Sequence, residues 1–479
     1  MSFRYEAFER EHFLEFLRQG LFDEDINEVV RKFPLYKPCL QFELVKYLRE
    51  RKPCALSLKV LSRALSCSQK DARCILNGKG KIFKIVSDEK IIKALVIPGT
   101  SKLITNNERI KRALSVVKKF YGSPFAVFFE EKFSGKSFML PLAVALCVEN
   151  LPDGLVFTGK IDFKGNIFEV DEVEKKVSIA EKEGLRLITP SQVGNVSTIK
   201  AFLDREKWNL PFYITSESCE EAEHFLCFVK EEAVSEEFNF LKGLEIFYDI
   251  PKKELCLLTG RLSKEKDWQG ACRNFYQRVN WLKRRLYGKK IFHFGIRGPA
   301  CLAMGLGVLW GSQEPFVIYH YQAGEYHPIE VLNPREIKER CKNFQFLKVD
   351  FEKKGQELVV MLDFSHHELV ADVKEFVREK LENPSFLLIK HKRSGNISPL
   401  EFKEVVKETA SLIQEIRKEK AFETFHFFFS CPVAVAFMLG VAFGHYTRGF
   451  LYNYQKETQT YFEALSFEFL RRLREGENL

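Results

Sequence analysis

Two stretches decide the fold of this chain: Phe292–Gln322 (FHFGIRGPACLAMGLGVLWGSQEPFVIYHYQ) and Phe425–Gln455 (FHFFFSCPVAVAFMLGVAFGHYTRGFLYNYQ). The second matches the first without a gap at an offset of 133 residues, the step from Phe292 to Phe425. The matched pairs include Pro299/Pro432, Ala303/Ala436, Gly307/Gly440, Gly311/Gly444, Tyr319/Tyr452 and Tyr321/Tyr454. Chance similarity between apolar segments does not hold one register over so many positions, so this part of the chain is a duplicated unit.

Each copy has the pattern of a buried strand, a helix that starts at a proline, and an aromatic strand. Further predicted elements precede each copy: strand 254–259 and helix 266–285 before the first, and strands 357–364 and 385–391 with helices 369–381 and 399–418 before the second. This order predicts two Rossmann-type α/β halves with mainly parallel sheets, 236–350 and 351–479.

One apolar stretch, 427–444, has the length of a membrane span. Pro432 falls inside it, after a run of phenylalanines and Ser-Cys. That pattern predicts a buried strand, a tight turn and a buried helix, and no membrane segment.

Ligands of open α/β sheets bind outside the carboxyl ends of the strands. The residues predicted at those ends are polar or basic: Thr259, Arg261, Arg297, Ser365, His366, Lys392, Arg393 and Ser430. Helix N-termini near Pro299 and Pro432 add free backbone N–H groups. The sequence therefore predicts a phosphate-bearing ligand in a crevice between the halves. Ordinary loop polarity remains the alternative for each single residue. His366-His367 reads as a solvated turn, because no third metal ligand has suitable spacing.

On these repeated residues, the region from Glu236 onward resembles the SAVED domain, a fusion of two CARF-like units that binds cyclic oligonucleotide second messengers. The Pro299/Ala303/Gly307 pattern, its second copy and the Tyr-x-Tyr strands carry the resemblance. It implies a cyclic oligoadenylate as the activating ligand, with cyclic tetra-adenylate as the expected ring.

Composition limits the class of protein further. The 479 residues are 46% hydrophobic and 29% charged, which excludes a disordered or coiled-coil chain and leaves room for about three domains. A net charge of +9 permits an anionic partner. The twelve cysteines form no C-x₂-C pair, and the charged N-terminus has no signal-peptide pattern. We therefore expect reduced thiols and a cytoplasmic location.

Residues 101–220 contain a serine at a predicted helix start. Ser134-Gly135-Lys136-Ser137 is not a P-loop, because Glu130 stands where the first glycine is required. Ser137 instead has the position of an exposed nucleophile near backbone N–H groups. Lys175 and Lys176 on the amphipathic helix 172–183 are candidate bases, since a desolvated lysine can deprotonate a serine. A capping serine and a solvated lysine are the alternative.

The surrounding pattern resembles the Lon protease domain. The match consists of Ser137, Ala145-Leu146, Phe157-Thr158-Gly159-Lys160-Ile161, Gly165, Val173-x-x-Lys176, Ala180, Gly184 and Ile188-Thr189-Pro190. It implies Ser137 as nucleophile, Lys176 as general base and Thr158 as the hydroxyl that orients the lysine, with no catalytic cofactor. Two departures predict a low resting activity: Phe138-Met139 follow the serine where the family has small residues, and Asp171-Glu172 replace the usual Gly-Gly.

Residues 1–100 show three short helices, 40–50, 58–65 and 69–76, followed by strands 82–85 and 91–97. This order resembles a winged helix-turn-helix. DNA binding is one interpretation, in which the second helix of the motif would carry Arg or Lys towards a groove. Gln69-Lys70-Asp71-Arg73 is only modestly basic and there is no strong basic stripe, so we favour a docking or spacer region and expect no nucleic-acid partner.

A Lon-like module joined to a SAVED sensor resembles the CRISPR-associated Lon proteases of type III antiviral systems. The resemblance implies a serine endopeptidase that binds cyclic oligoadenylate, self-associates, and cleaves a partner protein. The alternative is a non-catalytic regulator that senses a cyclic nucleotide, with a DNA-binding N-terminal region and a degenerate Lon-like segment.

Overall fold

The computed structural model describes residues 10–20, 22–218, 220–230, 240–365, 369–393, 397–419, 422–444 and 447–476. The chain divides into two compact units, residues 1–205 and 206–479. Each has its own sheet structure.

The first unit carries one mixed sheet. Its helices are α1 (Arg10–Arg18), α2 (Ile26–Arg31), α3 (Pro38–Arg51), α4 (Leu58–Ala64), α5 (Gln69–Asn77), α6 (Lys111–Tyr121), α7 (Met139–Cys147), α8 (Val173–Lys182) and α9 (Val196–Leu203). Its strands are β1 (Lys81–Val86), β2 (Ile91–Pro98), β3 (Ile104–Thr105), β4 (Phe125–Phe129), β5 (Leu155–Phe157), β6 (Lys160–Ile161), β7 (Ile167–Phe168) and β8 (Arg186–Ile188). The main sheet has the order β3-β4-β2-β1-β5-β8, and β6 pairs with β7 separately.

The predicted boundary at residue 100 runs through this sheet. The hairpin β1–β2 occupies its middle, because β2 pairs with β4 and β1 pairs with β5. The N-terminal helices share a core with β2 and β4, in which Phe33 meets Phe128 edge to face. The helices and strands predicted for residues 1–100 are present, but the hairpin's apolar residues need neighbours on both edges. Residues 1–100 are thus part of a larger unit.

The second unit contains two sheets. Its strands are β9 (Lys207–Thr215), β10 (Cys256–Leu258), β11 (Lys289–Arg297), β12 (Phe316–Gln322), β13 (Glu325–Val331), β14 (Leu347–Glu352), β15 (Glu357–Asp363), β16 (Ser385–His391), β17 (Thr424–Ser430), β18 (Gly449–Gln455) and β19 (Thr460–Ser466). Its helices are α10 (Glu220–Lys230), α11 (Phe240–Tyr248), α12 (Glu265–Arg285), α13 (Ala300–Trp310), α14 (Val370–Lys380), α15 (Phe402–Glu419), α16 (Val433–Phe443) and α17 (Phe467–Glu475).

The two sheets repeat one strand order. The first is β10-β9-β11-β12-β13, and the second is β14-β16-β15-β17-β18-β19. In each sheet the first four repeated strands are parallel and the last is antiparallel. The duplication read from the sequence is therefore a duplication of α/β halves, with β14 added at one edge.

The first half begins earlier than residue 236. Its strand β9 falls in the segment 101–220 that we assigned to the other domain. Pro211 argues against a central strand in this segment, because proline lacks the N–H that such a strand needs. Here β10 pairs only with Tyr213–Thr215, beyond the proline, so that N–H is not required on the β10 side. The boundary of the unit accordingly lies between Arg205 and Glu206.

Helices α13 and α16 join the two halves. Nearly all their side chains are buried, and glycines set their separation. A Cβ on Gly307 would overlap the backbone carbonyl of Phe437, and one on Gly440 would overlap that of Met304. The helices therefore approach as closely as their backbones allow.

The apolar stretch 427–444 forms the end of β17, a turn at Pro432 and helix α16, as predicted. Within the described ranges, no helix combines the length and apolar character needed to cross a membrane.

Candidate functional site

The order of the first sheet defines where a ligand would bind. β9 and β11 are parallel neighbours, but the chain leaves β9 towards β10 on one side and leaves β11 towards β12 on the other. At such a switch point the connections diverge and open a crevice at the carboxyl ends of the strands.

A cleft of about 760 Å³ lies at this point. It is bounded by the ends of β9 and β11, by α10, by the β12–β13 hairpin and by the start of α16. The residues that line it are Tyr213, His224, Gly295, Ile296, Arg297, Gly298, Tyr319, His320, Tyr321, Tyr326, Cys431, Pro432 and Val433. Because α16 belongs to the second half, the cleft is formed by both halves.

Gly295 allows the close packing at the floor of the cleft. A Cβ at this position would lie 2.6 Å from the Tyr213 ring and 2.9 Å from the Phe225 ring. The equivalent residue of the second half is Phe428, whose ring stacks on Tyr452 with centroids 4.6 Å apart. The two halves therefore differ here: an aromatic side chain fills the second half where glycine stands in the first.

Tyrosines form one wall of the cleft. Tyr319 and Tyr326 pack against Phe225 with centroids 5.2 and 5.3 Å apart. Tyr321 packs against Tyr326 at 4.9 Å and is 59% exposed. Aromatic faces held in this way can stack on nucleobases.

Arg297 supplies positive charge at the end of β11. Its guanidinium forms an ion pair of 3.0 Å with Glu217, and both side chains are about half exposed. An exposed pair of this kind contributes at most about 1 kcal/mol, so an incoming phosphate can replace the carboxylate. The N-terminus of α16, which starts after Pro432, adds backbone N–H groups beside the cleft.

A buried histidine supports Tyr319 from below. His293 Nδ1 lies 2.9 Å from the Tyr319 hydroxyl, and the second half repeats the contact with His426 and Tyr452 at 3.0 Å. Burial, with a smaller contribution from the charge of Lys207, lowers the pKa of His293 to about 4. The imidazole is therefore neutral at neutral pH and fixes the tyrosine through a neutral hydrogen bond.

Of the ligand residues predicted from the sequence, Arg297 lines the cleft. Ser430 precedes the cleft residue Cys431, and its hydroxyl is 2.5 Å from that of Ser365. This contact lies between the ends of β15 and β17, the switch point of the second half. By strand register the equivalent residues of the first half are Glu217 and Arg297, which form the ion pair described above. His366 lies outside the described residues.

The other predicted residues have partners away from the cleft. Thr259 continues the strand pairing through its backbone N–H to Thr215. Arg261 pairs with Glu457 at 3.2 Å, and Arg393 pairs with Glu401 at 3.2 Å. Lys392 donates to the Phe344 carbonyl at 2.7 Å. They share the carboxyl edges of the sheets, as expected, but they do not line this cleft.

Sequence reasoning missed the tyrosines as ligand residues. The Tyr-x-Tyr match was visible at Tyr319 and Tyr321, and we used it as evidence of duplication. The exposure of Tyr321 near the end of its strand, which distinguishes it as a ligand residue, could not be read from that match. Tyr213 gave no comparable signal, because β9 was placed in another domain, and His224 lies between the two predicted domains, 101–220 and 236–479.

The first unit brings Ser137 and Thr158 to one edge of its sheet. The Gly159 N–H donates to the Ser137 carbonyl at 3.2 Å, and Thr158 directly follows β5. The Thr158 side chain is fully buried, and its hydroxyl has no hydrogen-bond partner. Ser137 itself is half-buried just before α7. Phe138 is buried against Phe129 and Phe133, so its bulk lies in the core.

Lys176 is 4% exposed and lies on α8. Its ammonium donates to the Asp171 carbonyl and forms an ion pair of 2.9 Å with Asp88. The structure gives it no hydrogen bond to Ser137, although both residues belong to the described part of the chain. Glu172, before α8, has φ +55°, a left-handed conformation that favours glycine. The resemblance expects a glycine there.

Residues 275–467 match the family model described as "SMODS-associated and fused to various effectors sensor domain", or SAVED. The match covers both repeated segments and the cleft residues from Gly295 to Val433, but not Tyr213 or His224. The C-terminal part of the chain is therefore a SAVED domain. Comparison with curated proteins gives no match.

Solved structures with similarity include SAVED/CARF-domain receptors named Cap4. The Acinetobacter baumannii receptor with the cyclic trinucleotide 2'3'3'-cAAA has 14% identity and a TM-score of 0.38, covering 81% of this chain and 93% of that one. The Moraxella osloensis receptor has 14% identity and a TM-score of 0.31, covering 60% and 69%. TM-scores below 0.5 do not establish a shared fold, so the family match alone identifies the domain.

Proposed function

We propose that the cleft binds a cyclic oligonucleotide and that this chain is a sensor for such a messenger. The observation that carries the proposal is the cleft at the β9/β11 switch point, where Arg297 and exposed Tyr321 face one space. The match to a sensor-domain family supports it. Following the SAVED resemblance, the proposed ligand class is cyclic oligoadenylate, with cyclic tetra-adenylate as the expected ring.

The groups of the cleft suit the parts of such a ligand. Arg297 leaves Glu217 and binds a backbone phosphate through paired N–H donors. Backbone N–H groups after Pro432 bind a second phosphate oxygen. Tyr321 stacks on an adenine ring, while Tyr319, fixed by His293, borders the floor.

We further propose that the first unit is a serine peptidase that cleaves a partner protein in antiviral signalling. Ser137 Oγ attacks the scissile carbonyl, and neutral Lys176 accepts the hydroxyl proton. The C–N bond breaks, the lysine returns the proton to the leaving amine, and water then releases the acyl group. The adjacency of Ser137 to Thr158-Gly159 and the burial of Lys176 support these roles.

Self-association completes the proposal. A flat cyclic anion in an open cleft leaves one face uncovered, and a second copy of the chain can cover it. Ligand binding and assembly then stabilise each other by linkage.

Light scattering of the purified chain with cyclic tri-, tetra- and hexa-adenylate tests the sensor proposal, with calorimetry as the direct binding measurement. Linear tetra-adenylate is the control for charge and base content. We expect one ring to bind in a stoichiometric isotherm and to raise the mean mass, and Arg297→Ala to weaken both effects. Absence of binding by every ring would refute cyclic oligoadenylate as the ligand. Binding without a change in mass would refute only the assembly step.

A further inference from the structure

The buried Lys176 is held by a carboxylate from a distant part of the chain. Asp88 lies in the turn between β1 and β2, and its side chain is 55% exposed. It reaches a lysine whose side chain is 5% exposed, at 2.9 Å. The second donor contact of the ammonium goes to the Asp171 carbonyl at the start of α8. Both contacts direct the amine to groups other than Ser137.

The sheet explains why this carboxylate is at the site. β1 and β5 are parallel neighbours, with Ile85 opposite Phe157. Residues that follow these strands therefore emerge at the same edge: Asp88 after β1 and Thr158 after β5. Asp88 is thus next to the edge that carries the proposed nucleophile, although it precedes Ser137 by almost fifty residues in the chain.

The unpartnered Thr158 hydroxyl points to a second arrangement. A fully buried hydroxyl without a hydrogen bond destabilises the folded state, so it requires an explanation. A Lys176 amine released from Asp88 would satisfy it by donating to Thr158 Oγ1. Thr158 is followed by Gly159, whose N–H donates to the Ser137 carbonyl, so an amine bonded to Thr158 would also be nearer to Ser137.

We propose that Asp88 is a latch: it holds Lys176 as an ammonium ion away from Ser137, and activation requires this ion pair to open. The inference rests on the proposed peptidase function. In the latched state the lysine has no lone pair to accept the serine proton. After release, the ammonium gives its proton to water, donates a hydrogen bond to Thr158, and accepts the proton of Ser137 Oγ. Asp88 is a positioning residue, since it acts only through Lys176.

Asp88→Asn tests the latch, because it removes the charge and keeps the shape of the side chain. Glu89→Gln is the matched control, since Glu89 is an exposed acid of the same turn, whereas it is Asp88 that pairs with Lys176. The probe is a β-lactone that acylates nucleophilic serines by ring opening, with the adduct located at Ser137 by tandem mass spectrometry. Each full-length variant is measured with and without the cyclic oligoadenylate that binds the wild-type chain, or with all three rings.

We expect Asp88→Asn to label Ser137 at least about tenfold faster than the wild type without ligand, and to lose its response to ligand. Asp88→Glu should restore slow, ligand-dependent labelling, and Glu89→Gln should match the wild type. A merely structural role for Asp88 would not remove the ligand response. Ligand-dependent labelling that Asp88→Asn leaves unchanged would refute the latch while the peptidase stands. No Ser137 adduct in any variant under any condition would refute the peptidase and the latch with it. Thermal unfolding curves of the variants verify that the exposed substitution leaves the fold intact.

Discussion

Gly307 and Gly440, equivalent residues of the two repeats, each lie against the backbone of the helix that carries the other. Gly307 faces the carbonyl of Phe437, and Gly440 faces that of Met304, which is itself the equivalent of Phe437. The contact is therefore reciprocal, like a twofold interface built within one chain. It fixes the start of α16 beside the end of β11 and so gives the cleft its second wall.

Alanine at either glycine should destabilise the second unit. The added Cβ overlaps a backbone carbonyl, which cannot move as a flexible side chain can, and overpacking of this kind costs about 1–3 kcal/mol or more. Unfolding by urea, followed by tryptophan fluorescence, reports on this unit specifically, because Trp208, Trp268, Trp281 and Trp310 all lie in it.

The control for this experiment is Gly270→Ala. Gly270 lies inside α12, where a Cβ would meet nothing within 4 Å. Alanine there should stabilise by up to about 1 kcal/mol through helix propensity. Equal effects at Gly270 and Gly307 would contradict the close packing of α13 on α16.

Arg297→Ala and Tyr321→Ala should each weaken binding of the cyclic oligonucleotide by about 10- to 100-fold. The first removes charge-assisted hydrogen bonds, and the second removes a stacking face worth about 1–3 kcal/mol. Calorimetric titration measures both. Tyr454→Ala is the matched control for the tyrosine, because it is the equivalent residue of the other half and does not line the cleft.

Lys392→Ala and Arg393→Ala test whether the ligand binds in this cleft or at the carboxyl edge of the second sheet. Their partners are the Phe344 carbonyl and Glu401, so we expect affinity to stay within about twofold of the wild type. A larger loss for Lys392→Ala than for Arg297→Ala would move the binding site to the edge of the second sheet.

The second unit should lose stability as the pH falls from about 6.5 towards about 4. The pKa of His293 is lowered to about 4 by burial and by Lys207, whereas the unfolded chain has the ordinary value near 6.5. Below 6.5 the unfolded state binds the proton first, so the free energy of unfolding decreases, by about 3 kcal/mol at most. The loss is complete below the folded-state value.

His293→Phe should reduce this pH dependence in urea unfolding between pH 7 and pH 5, again followed by tryptophan fluorescence. Burial also lowers the pKa of His426, so His426→Phe should act in the same direction. Only His293→Phe should also weaken ligand binding, because Tyr319 lines the cleft and Tyr452 does not. An identical pH profile in wild type and His293→Phe would contradict the buried neutral histidine.

Ser137→Ala and Lys176→Ala should abolish cleavage of the partner protein and leave calorimetric binding of the cyclic oligonucleotide unchanged. The first variant lacks the nucleophile and the second lacks the base. Lys175→Ala is the control, because this neighbouring lysine is exposed and pairs with Glu172 at 3.2 Å. Cleavage retained by purified Ser137→Ala would exclude the proposed dyad.

Much of the second unit could be predicted from sequence, because its strands and helices are indicated by local residue patterns that occur twice. Strand 385–391 was predicted with its observed bounds, and the proline-started helices follow from Pro299 and Pro432. The strand β9 was assigned to the wrong domain, since an apolar run with an internal proline does not reveal its neighbours. Among the predicted ligand residues that the structure describes, only Arg297 lines the cleft, because a position at a carboxyl edge does not specify which crevice is open.

The sequence by itself determined that the chain contains a duplicated α/β unit and that Ser137, Thr158 and Lys176 share a pattern. These properties depend on the periodicity and spacing of residues, which the sequence alone contains. Only the tertiary structure decided that Gly295 lets the Tyr213 and Phe225 rings pack at the floor of the cleft, where the second half has Phe428, and that Asp88 holds Lys176. Both depend on which strands become neighbours. Long-range strand pairing brings residues that are far apart in sequence to one edge of a sheet. Local residue preferences do not specify which distant strands pair.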